Sequence, residues 1–471
     1  MFKFTEEQIM IRDMVREFTK NEVEPRDKWM DENGFDWEVH KKLCEAGLMG
    51  IHLPEQYGGG GGDAVMREIV INAIAKGSAS VALFLDADWL AADMIYVHGS
   101  EEQKNHYLPL AAEGKIFAFG LTESNAGSDA AAIKSVAVKQ PDGSYVLNGG
   151  KAWITNSGVA DYYLIMAKTD PEAGSKGISV FIVPKDAEGL TVGKFEHKMG
   201  MCGSATCELS FDNIKLPADA LVGKEGAGFK IAMMALDGAR ISIGAIASGL
   251  AQHAMEVAKN YANERVTFGK PIAKYQGVAF KFADMAAKIR AIDLMVWDTA
   301  QMKSEGQRHT VEAAELKLMS SKWCCEICDE CIQVLGGNGY SAEFHVERLY
   351  RDAKLLEIGE GTSEIQRMVI SGAVLAKYTG ARGKSGTSDA SAEFLGWVRR
   401  AMASKDVVWQ SGELGKVDIG GGGTVAKYIA NYNIDTVDLG VPVISMHAPC
   451  EVIAKSDLYE AYRAFDAFFC F

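Results

Sequence analysis

The spacing of hydrophobic residues changes twice along this chain, and each change marks a different kind of structure. In the first third, apolar residues recur every three or four positions, as in helices that bury one face. The first such run follows a capping box at Thr5 and Gln8 and ends at Pro25. Further runs cover Trp37–Ala46, Ala64–Ala75 and Glu101–Glu113. The pattern therefore predicts a helical N-terminal domain over residues 1–115.

From about residue 116 the pattern is that of β-strands. Short runs of β-branched and aromatic residues, such as GISVFIVPK and CELSFDNIKLP, are separated by Gly, Asp, Asn and Pro. This predicts a β domain over residues 116–222, after which helical spacing returns. The later helical runs are Phe229–Glu264, Tyr275–Glu305, Val311–Leu335 and Thr362–Tyr378. The order of helices, strands and helices predicts an α+β multidomain protein that ends in a helical bundle over residues 223–378.

Composition narrows the classes of partner. The 471 residues include 49 basic and 63 acidic ones, a net charge of −14, which argues against nucleic acid or an anionic membrane as the partner. The most apolar long window, Ala79–Val97, contains Asp86, Asp88 and Asp93, so no membrane span is predicted. The N-terminus lacks the apolar run of a signal peptide. Nine cysteines, several of them adjacent, indicate reduced thiols, and we expect a soluble cytoplasmic protein.

Four cysteines in one predicted helix have a spacing that suggests metal chemistry. Cys325, Cys328 and Cys331, with Cys324 before them, include a C-x2-C-x2-C run similar to part of an iron–sulfur signature. No fourth Cys-Pro follows, and small buried residues suit close helix packing. We therefore favour packing and predict no cluster.

The candidate catalytic residue is Glu360, which stands between Gly359 and Gly361. The residues that follow, TSEIQR, indicate a helix start, with Thr362 as N-cap and Glu364 in the first turn. Glycines on both sides let a carboxylate approach a ligand closely. A solvated glutamate at a loop–helix junction is the alternative interpretation of this short pattern.

The stretch Arg351–Arg367, RDAKLLEIGEGTSEIQR, resembles the C-terminal signature of flavin-dependent acyl-CoA dehydrogenases, and further motifs match in order over residues 1–378. The resemblance implies the fold of that family, an α domain, a β domain and a four-helix bundle. It also implies FAD as the cofactor and Glu360 as the catalytic base. Many family members carry Tyr immediately before this Glu, where this chain has Gly359.

Four segments resemble the family's FAD-contacting motifs: FGLTESNAGSDAAA, KAWITNS, ERVTFGKPIAKYQ and QVLGGNGY. The third matches a segment that reaches the FAD of a neighbouring subunit, so the resemblance implies a homotetramer. The implied cofactor-binding residues are Phe119, Leu121, Thr122, Ser128, Trp153, Thr155, Arg265, Phe268, Gln276, Gln333, Gly336, Gly337, Thr362 and Glu364. Core packing remains the alternative for the tryptophan, and a helix C-cap for the GGNG run.

The resemblance implies that Ser128, Asp237, Arg240, Gly359 and Gly361 contact the acyl-CoA substrate. Asp237 and Arg240 lie three residues apart on one predicted helix, so a surface ion pair is the alternative. The implied reaction is α,β-dehydrogenation of a short-chain acyl-CoA, including branched or aryl acyl groups, to a trans-2-enoyl-CoA. An electron-transferring flavoprotein is the implied partner. An enoyl-CoA reductase and an acyl-CoA oxidase use the same kind of site and remain open.

The chain changes character after residue 378. Residues 379–392 are rich in Gly, Ser, Thr and Ala, a linker composition. Residues 393–471 resemble the C-terminal end of aspartyl-aminopeptidase-like (M18) zinc peptidases. The MHAPCE motif would make His447 a metal ligand in a complete peptidase, but no other ligand segment is recognisable, so no metal is predicted. A zinc-binding peptidase or interaction module in this segment is the remaining alternative function.

Overall fold

The computed structural model describes residues 3–375, 397, 400–405, 443–444, 452–453, 462–463 and 466. The chain divides into two compact units, residues 1–370 and 371–471. The predicted linker, most of the peptidase-like segment and His447 lie outside the described residues.

The helices and strands follow the predicted order of helices, sheet and helices. The helices are α1 (Glu6–Phe18), α2 (Glu24–Asn33), α3 (Trp37–Glu45), α4 (Ala64–Ala75), α5 (Ala79–His98), α6 (Glu101–Glu113), α7 (Gly228–Glu264), α8 (Gln276–Ser304), α9 (Thr310–Leu335), α10 (Val346–Leu355) and α11 (Ser363–Val374). The strands are β1 (Phe117–Gly120), β2 (Val136–Lys139), β3 (Tyr145–Thr155), β4 (Tyr162–Lys168), β5 (Ile178–Pro184), β6 (Leu190–Val192), β7 (Thr206–Leu216), β8 (Leu221–Val222), β9 (Val266–Thr267), β10 (Lys270–Pro271), β11 (Val443–Ile444) and β12 (Val452–Ile453).

Most of the predicted helix limits agree with the structure within one residue. The ends of α4 and α6 are those predicted, α7 and α9 differ by one residue at their start, and α8 differs by one residue at each end. The predicted capping box is present, because the Thr5 side chain accepts from the Gln8 amide and the Gln8 side chain accepts from the Thr5 amide. The end of the first helical run was predicted wrongly. Pro25 lies in the first turn of α2, where a missing N–H costs nothing, and the chain stays helical to Asn33.

The main sheet has the strand order β6-β7-β3-β2-β4-β5-β8, and β1 pairs in parallel with β4. Most of the other pairings are antiparallel. The longest ladder joins β3 to β7, and its register shifts between Lys151 and Ile154. That irregularity falls within the KAWITN motif, so it changes the direction of the side chains predicted to contact the flavin.

Helix α7 is the central element of the helical bundle, and glycines allow its close packing. A Cβ on Gly244 would lie 2.7 Å from two atoms of the Leu316 side chain on α9. A Cβ on Gly249 would lie 2.5 Å from the Asn72 carbonyl oxygen on α4. The absence of these side chains lets α4 and α9 pack at short distances against α7.

Among the described residues, α7 is the one helix long and apolar enough to cross a membrane. Within its most apolar window, 78% is buried inside the protein. That burial is typical of the central helix of a folded core rather than of a membrane span.

The cysteines of α9 pack in the hydrophobic core. Cys324, Cys328 and Cys331 are fully buried among apolar side chains of the bundle. In the part of the chain that the structure describes, no group of three or more His, Cys, Asp or Glu side chains is placed to hold a metal ion.

Helix α10 connects the bundle to the N-terminal domain and to the β domain. The Arg348 Nε donates to Asp27 Oδ2 at 2.7 Å, and both side chains are buried. Arg351 donates to both carboxylate oxygens of Asp31, at 2.6 and 3.0 Å, and to the Met199 carbonyl oxygen at 3.0 Å. Because α10 ends five residues before Glu360, these bonds fix the entry to the candidate catalytic turn.

In the second unit, β11 and β12 form an antiparallel pair in which Val443 lies opposite Ile453. Near residue 400, Ala401 and Met402 are buried, and the Lys405 ammonium lies 3.5 Å from an Asp466 carboxylate oxygen. Neither observation identifies an active site.

We expect Arg348→Met to lower the stability of the protein strongly, because the buried Asp27 carboxylate would lose its cationic partner. The loss of free energy of unfolding should be about 3–5 kcal/mol. Thermal unfolding measures it, with Arg12→Met at an exposed ion pair as the control. The double variant Asp27→Asn, Arg348→Met should regain part of the loss. An Arg348→Met protein as stable as the parent would contradict this account of α10.

Candidate active site

Glu360 lies in a turn whose backbone is left-handed at two successive residues. Its φ is 53°, and that of Gly361 is 90°. Glycine takes such a conformation without penalty, whereas a residue with a side chain is disfavoured there. The backbone at Glu360 must therefore be held by its surroundings.

Three side chains from three helices hold this turn through its carbonyl oxygens. Lys317 Nζ donates to the Gly361 oxygen at 2.7 Å. Gln366 Nε2 donates to the same oxygen at 2.8 Å and to the Glu360 oxygen at 3.2 Å. Arg240 Nε donates to the Glu360 oxygen at 3.4 Å. These residues belong to α9, α11 and α7, so the turn forms only where the three helices meet.

The predicted pair Asp237 and Arg240 is part of this support and not a surface ion pair. The two side chains are 17% and 6% exposed, and Arg240 Nη1 donates to Asp237 Oδ1 at 2.7 Å. The Thr310 hydroxyl donates to the other oxygen of Asp237 at 2.7 Å. Arg240 is thus oriented toward Glu360 by Asp237 on its own helix, and Thr310 at the start of α9 holds Asp237 in place.

The environment of the Glu360 carboxyl suits a base that works near neutral pH. Its pKa is raised to about 7, first by burial and then by the negative charge of Asp86, while Arg240 and Lys317 act in the opposite direction. Burial lowers the pKa of Lys317 to about 8, against the attraction of Glu360. A base is most effective when its pKa lies close to the working pH.

The predicted flavin segments of the β domain lie side by side. The Ala152 amide donates to the Thr122 carbonyl oxygen at 3.0 Å, which joins the two motifs. The buried Lys151 ammonium donates to the Leu121 carbonyl oxygen at 3.1 Å and to Glu123 Oε1 at 2.7 Å. A buried ion pair therefore sets the position of the residues predicted to face the flavin.

Trp153 lies two residues after Lys151, on the surface of the described chain. Its side chain is 62% exposed, and its φ of 59° is left-handed. Asn156, three residues later, is also left-handed, and its side-chain amide donates to the carbonyl oxygens of Phe84 and Phe117. The core-packing alternative for Trp153 is therefore wrong, because the irregular strand turns the indole outward. Thr155 is half-buried beside it, and Phe119 and Thr122 are also partly exposed.

A second group of predicted residues lies where α7 ends. Arg265 and Gln276 are exposed, and Phe268 is 98% exposed with a left-handed φ of 49°. The GGNG segment lies at the same end of the bundle, because Asn338 Nδ2 donates to the Tyr261 hydroxyl at 3.0 Å. Gln333, Gly336 and Gly337 are exposed there, and Gly336 also caps α9, so the expected helix C-cap is present as well.

The structure thus gathers the predicted residues into three groups. In the described part of the chain, no hydrogen bond joins the Arg265 group to the Trp153 group. Ser128 lies exposed on the loop after β1, and Gly359 and Gly361 adjoin Glu360. The Thr362 hydroxyl accepts from the Ile365 amide at 3.4 Å, and Glu364 lies in the first turn of α11, as predicted for this helix start.

The residues present fit a flavin dinucleotide. Trp153 and Phe268 are exposed within the predicted segments, and both have the left-handed backbone that residues with a side chain seldom adopt. A Cβ on Gly336 or Gly337 would meet no atom within 4 Å, so a ligand has room to approach that backbone. A planar ring system covering the indole would remove the cost of its exposure.

Three family models together match most of the chain. They are described as the N-terminal, middle and C-terminal domains of acyl-CoA dehydrogenase, and they match residues 5–115, 118–214 and 226–375. The chain belongs to the acyl-CoA dehydrogenase family. It is therefore an FAD-dependent flavoprotein oxidoreductase of fatty acid metabolism, with an acyl-CoA dehydrogenase fold and activity.

Individual relatives agree with this assignment. The short-chain-specific acyl-CoA dehydrogenase of Clostridium acetobutylicum is 45% identical over 376 residues, which cover 79% of this chain and 99% of that protein. The structure of butyryl-CoA dehydrogenase from Megasphaera elsdenii is 42% identical, with a TM-score of 0.78, and covers 80% of this chain and 100% of its own. A chain in the structure of the electron transferring flavoprotein of Acidaminococcus fermentans has the same identity and TM-score, over 80% of this chain and 99% of its own.

A fourth family model matches the C-terminal part of the chain. It is described as aminopeptidase I zinc metalloprotease (M18) and matches residues 362–469, so it overlaps the dehydrogenase match over α11. The resemblance of this segment to M18 peptidases is thus confirmed.

Sequence reasoning missed the residues that support the site. Lys317 and Gln366 hold the Glu360 turn, and Glu123 and Lys151 hold the flavin segments. Gln366, Glu123 and Lys151 all lie inside quoted motifs, where a polar residue without an assigned role could have indicated support. Lys317 lies in an ordinary helical run, so the pattern gave no signal for it.

The pH dependence of kcat/KM for flavin reduction should show a rising limb near pH 7, because only ionised Glu360 accepts a proton. Lys317 stabilises the ionised form, so Lys317→Met should move that limb to higher pH and lower the plateau. Anaerobic stopped-flow measurements across pH test this. Lys322→Met, at an exposed position of α9, is the matched control. A limb that stays in place in Lys317→Met would contradict the assigned electrostatics.

Proposed function

We propose that this protein catalyses α,β-dehydrogenation of a short-chain acyl-CoA to the trans-2-enoyl-CoA and passes the electrons to an electron-transferring flavoprotein. The observation that carries the proposal is Glu360, a carboxylate held on a left-handed turn with a pKa of about 7. The similarity to butyryl-CoA dehydrogenase supports the short chain. The similarity to a chain in an electron transferring flavoprotein structure supports the acceptor.

In the proposed mechanism the Glu360 carboxylate removes the α-proton of the thioester. FAD, when bound, supplies the acceptor for the β-hydrogen, which leaves as hydride. The α-proton is weakly acidic, so the thioester carbonyl must be polarised by a donor. In the described part of the chain the Glu360 amide has no hydrogen-bond partner, and it is therefore available for that role. Arg240 and Gln366 fix the peptide that follows this amide.

The remaining residues take the roles that the family resemblance implies. We propose that Thr122, Trp153 and Thr155, with Phe119, Leu121 and Ser128, contact the flavin. Thr362 and Glu364 would approach it from the start of α11, and Ser128, Asp237, Arg240, Gly359 and Gly361 would contact the acyl-CoA. These assignments are supported by the exposure of Trp153 and by the bonds between Arg240, Asp237 and Glu360.

We propose that the active enzyme is a cytoplasmic homotetramer in which Arg265, Phe268 and Gln276, with Gln333, Gly336 and Gly337, contact FAD bound mainly by another subunit. The support is the exposure of this group at one end of the bundle. Phe268, with 98% of its side chain exposed, is an unfavourable surface residue unless a partner or ligand covers it.

Other uses of the same site follow from its chemistry. Glu360 could return a proton to the α-carbon as readily as it removes one, so the enzyme could act as an enoyl-CoA reductase. If oxygen reoxidised the reduced flavin directly, the enzyme would be an acyl-CoA oxidase. A rapid return of the flavin absorbance when air is admitted would identify that case. A zinc-binding peptidase or interaction module in the C-terminal segment is a further candidate, which stoichiometric zinc in the purified protein would favour.

Glu360→Gln should retain FAD and bind acyl-CoA but reduce the flavin about 10²–10⁴-fold more slowly, since a positioned base contributes that much. Rapid mixing with butyryl-CoA under nitrogen measures the rate. Glu357→Gln removes a neighbouring carboxylate that pairs with Lys354, and it serves as the matched control. Flavin reduction by Glu360→Gln at the parental rate would show that the base is misassigned.

Gly359→Tyr should narrow the substrate range toward straight acyl chains, because the ring would occupy space beside the reacting carbons. The parent should use 3-phenylpropionyl-CoA or a branched thioester with a kcat/KM comparable to that for butyryl-CoA. A Cβ at position 359 would lie 3.7 Å from the Leu355 carbonyl oxygen, an ordinary contact, so the backbone there accepts a side chain. Gly359→Ala is the control, and equal selectivity in the tyrosine and alanine variants would rule the idea out.

A chain that ends at Tyr378 should be yellow, tetrameric and active, because every predicted flavin and substrate residue precedes that position. Absorbance, light scattering and flavin reduction by butyryl-CoA test this directly. Loss of FAD on truncation would instead show that the C-terminal segment is an integral part of the dehydrogenase.

A further inference from the structure

A cavity of about 180 Å³ lies between α5 and α7, beside the end of α8. Apolar residues such as Leu90 and Ile231 form part of its wall, and Arg67, Asp93 and Lys303 contribute charged groups. At roughly 30 Å³ per water molecule, the volume would hold about six waters, or a small organic ion in their place. Within the described chain, Glu360 is not among the residues that line it.

Two of the three charged groups already have partners. Arg67 Nη2 donates to Asp86 Oδ1 at 3.1 Å, and Nη1 donates to Asp93 Oδ2. Asp93 also lies 3.2 Å from His52 Nε2. The Arg67 guanidinium stacks 5.4 Å from the centre of the Trp89 ring, but its buried Nε has no hydrogen-bond partner.

Lys303 differs from these groups because its ammonium makes no direct ion pair, although the carboxylates of Asp93, Glu68 and Asp86 lie farther away around it. Among the residues that the structure describes, no carboxylate lies within 4 Å of its Nζ, and this ammonium makes no hydrogen bond. Burial and the nearby charge of Arg67 lower the pKa of Lys303, against the attraction of the surrounding carboxylates. An ammonium group in such a place is costly unless it gains a partner.

The backbone of α7 makes room for this ammonium. A Cβ on Gly238 would lie 2.8 Å from Lys303 Nζ, so a larger residue would displace the charged end. The unpaired cation is therefore held at the wall of the cavity by the absence of a side chain at position 238. The orphan Nε of Arg67 lies in a residue that lines the same cavity.

We propose that this cavity is a binding site for a small carboxylate, with Lys303 as its charge partner. An ammonium offers three donors, and a charge-assisted bond to a carboxylate is stronger than one to a neutral acceptor. Asp93 in the same wall disfavours a doubly charged group such as phosphate and selects a compact, singly charged one.

The carboxylate could be a free organic acid or the far end of a dicarboxylyl thioester. The second source rests on the proposed function. It is structurally reasonable because Gly238 and Ala239 line the cavity, while Asp237 and Arg240 on the same turn of α7 support Glu360. Two measurements distinguish the sources.

The first measurement is binding of sodium succinate to the full-length, FAD-containing protein, against sodium chloride of equal ionic strength. Calorimetry and thermal unfolding should both detect succinate, since a ligand that binds the folded state raises Tm. Lys303→Met should weaken this binding at least tenfold, and Gly238→Ala, which displaces the ammonium, should weaken it as well. Lys288→Met, on the surface of the same helix, should bind succinate as the parent does.

The second measurement is the ratio of kcat/KM for glutaryl-CoA to that for butyryl-CoA in the parent and in Lys303→Met. A ratio that falls at least tenfold in Lys303→Met assigns the cavity to the acyl end. Succinate binding that depends on Lys303, with an unchanged ratio, assigns it to a free acid. The proposal is overturned if neither effect depends on Lys303. Failure of the dehydrogenase function itself would abolish reduction by both thioesters but leave the succinate measurement intact.

Discussion

The left-handed turn at Glu360 and Gly361 persists because hydrogen-bond donors from three helices converge on its two carbonyl oxygens. Each donor is a side chain, from Arg240, Lys317 or Gln366, and two of these carry positive charge. The same two charges lower the pKa of the carboxyl group that burial raises. Geometry and acidity at this position are thus set by one group of contacts.

The rest of the dehydrogenase unit supports the point where α7, α9 and α11 meet at the Glu360 turn. Small residues along α7 let α4 and α9 approach closely, which places Lys317 against the turn. Side chains of α10 form hydrogen bonds with α2 and with the loop before β7. These bonds fix the direction in which the chain enters the Glu360 turn. In the β domain, the buried pair of Glu123 and Lys151 fixes the segments proposed to hold the flavin.

Sequence reasoning predicted the order of domains and most of the helices, for physical reasons. Helix α4 has a capping residue, Asp63, at its start, and both of its ends were predicted correctly. Helix α5 was not predicted as a helix, because nearly all of its residues are buried and an all-round apolar helix has no amphipathic period. Its buried Asp86 and Asp88 form bonds to other elements, which a sequence pattern does not show.

Site residues that belong to a recognisable sequence motif could be predicted, whereas those that only tertiary packing brings to the site could not. Glu360, Trp153 and Arg240 were identified by resemblance, which also gave the family and the cofactor. Lys317 looked like any helical lysine, since only the meeting of α9 with the turn gives it a role. The run of glycines before α4 forms a turn in which the amides of Gly59 and Gly60 donate to backbone carbonyl oxygens.

The proposed reaction requires this chain to reduce its own flavin with a short acyl thioester. An anaerobic titration of the purified protein with butyryl-CoA, followed by visible absorbance, tests it most directly. We expect a yellow protein whose flavin absorbance band bleaches as butyryl-CoA is added and returns when an electron acceptor is added. A colourless protein, or a flavin band that butyryl-CoA leaves unchanged, would contradict it.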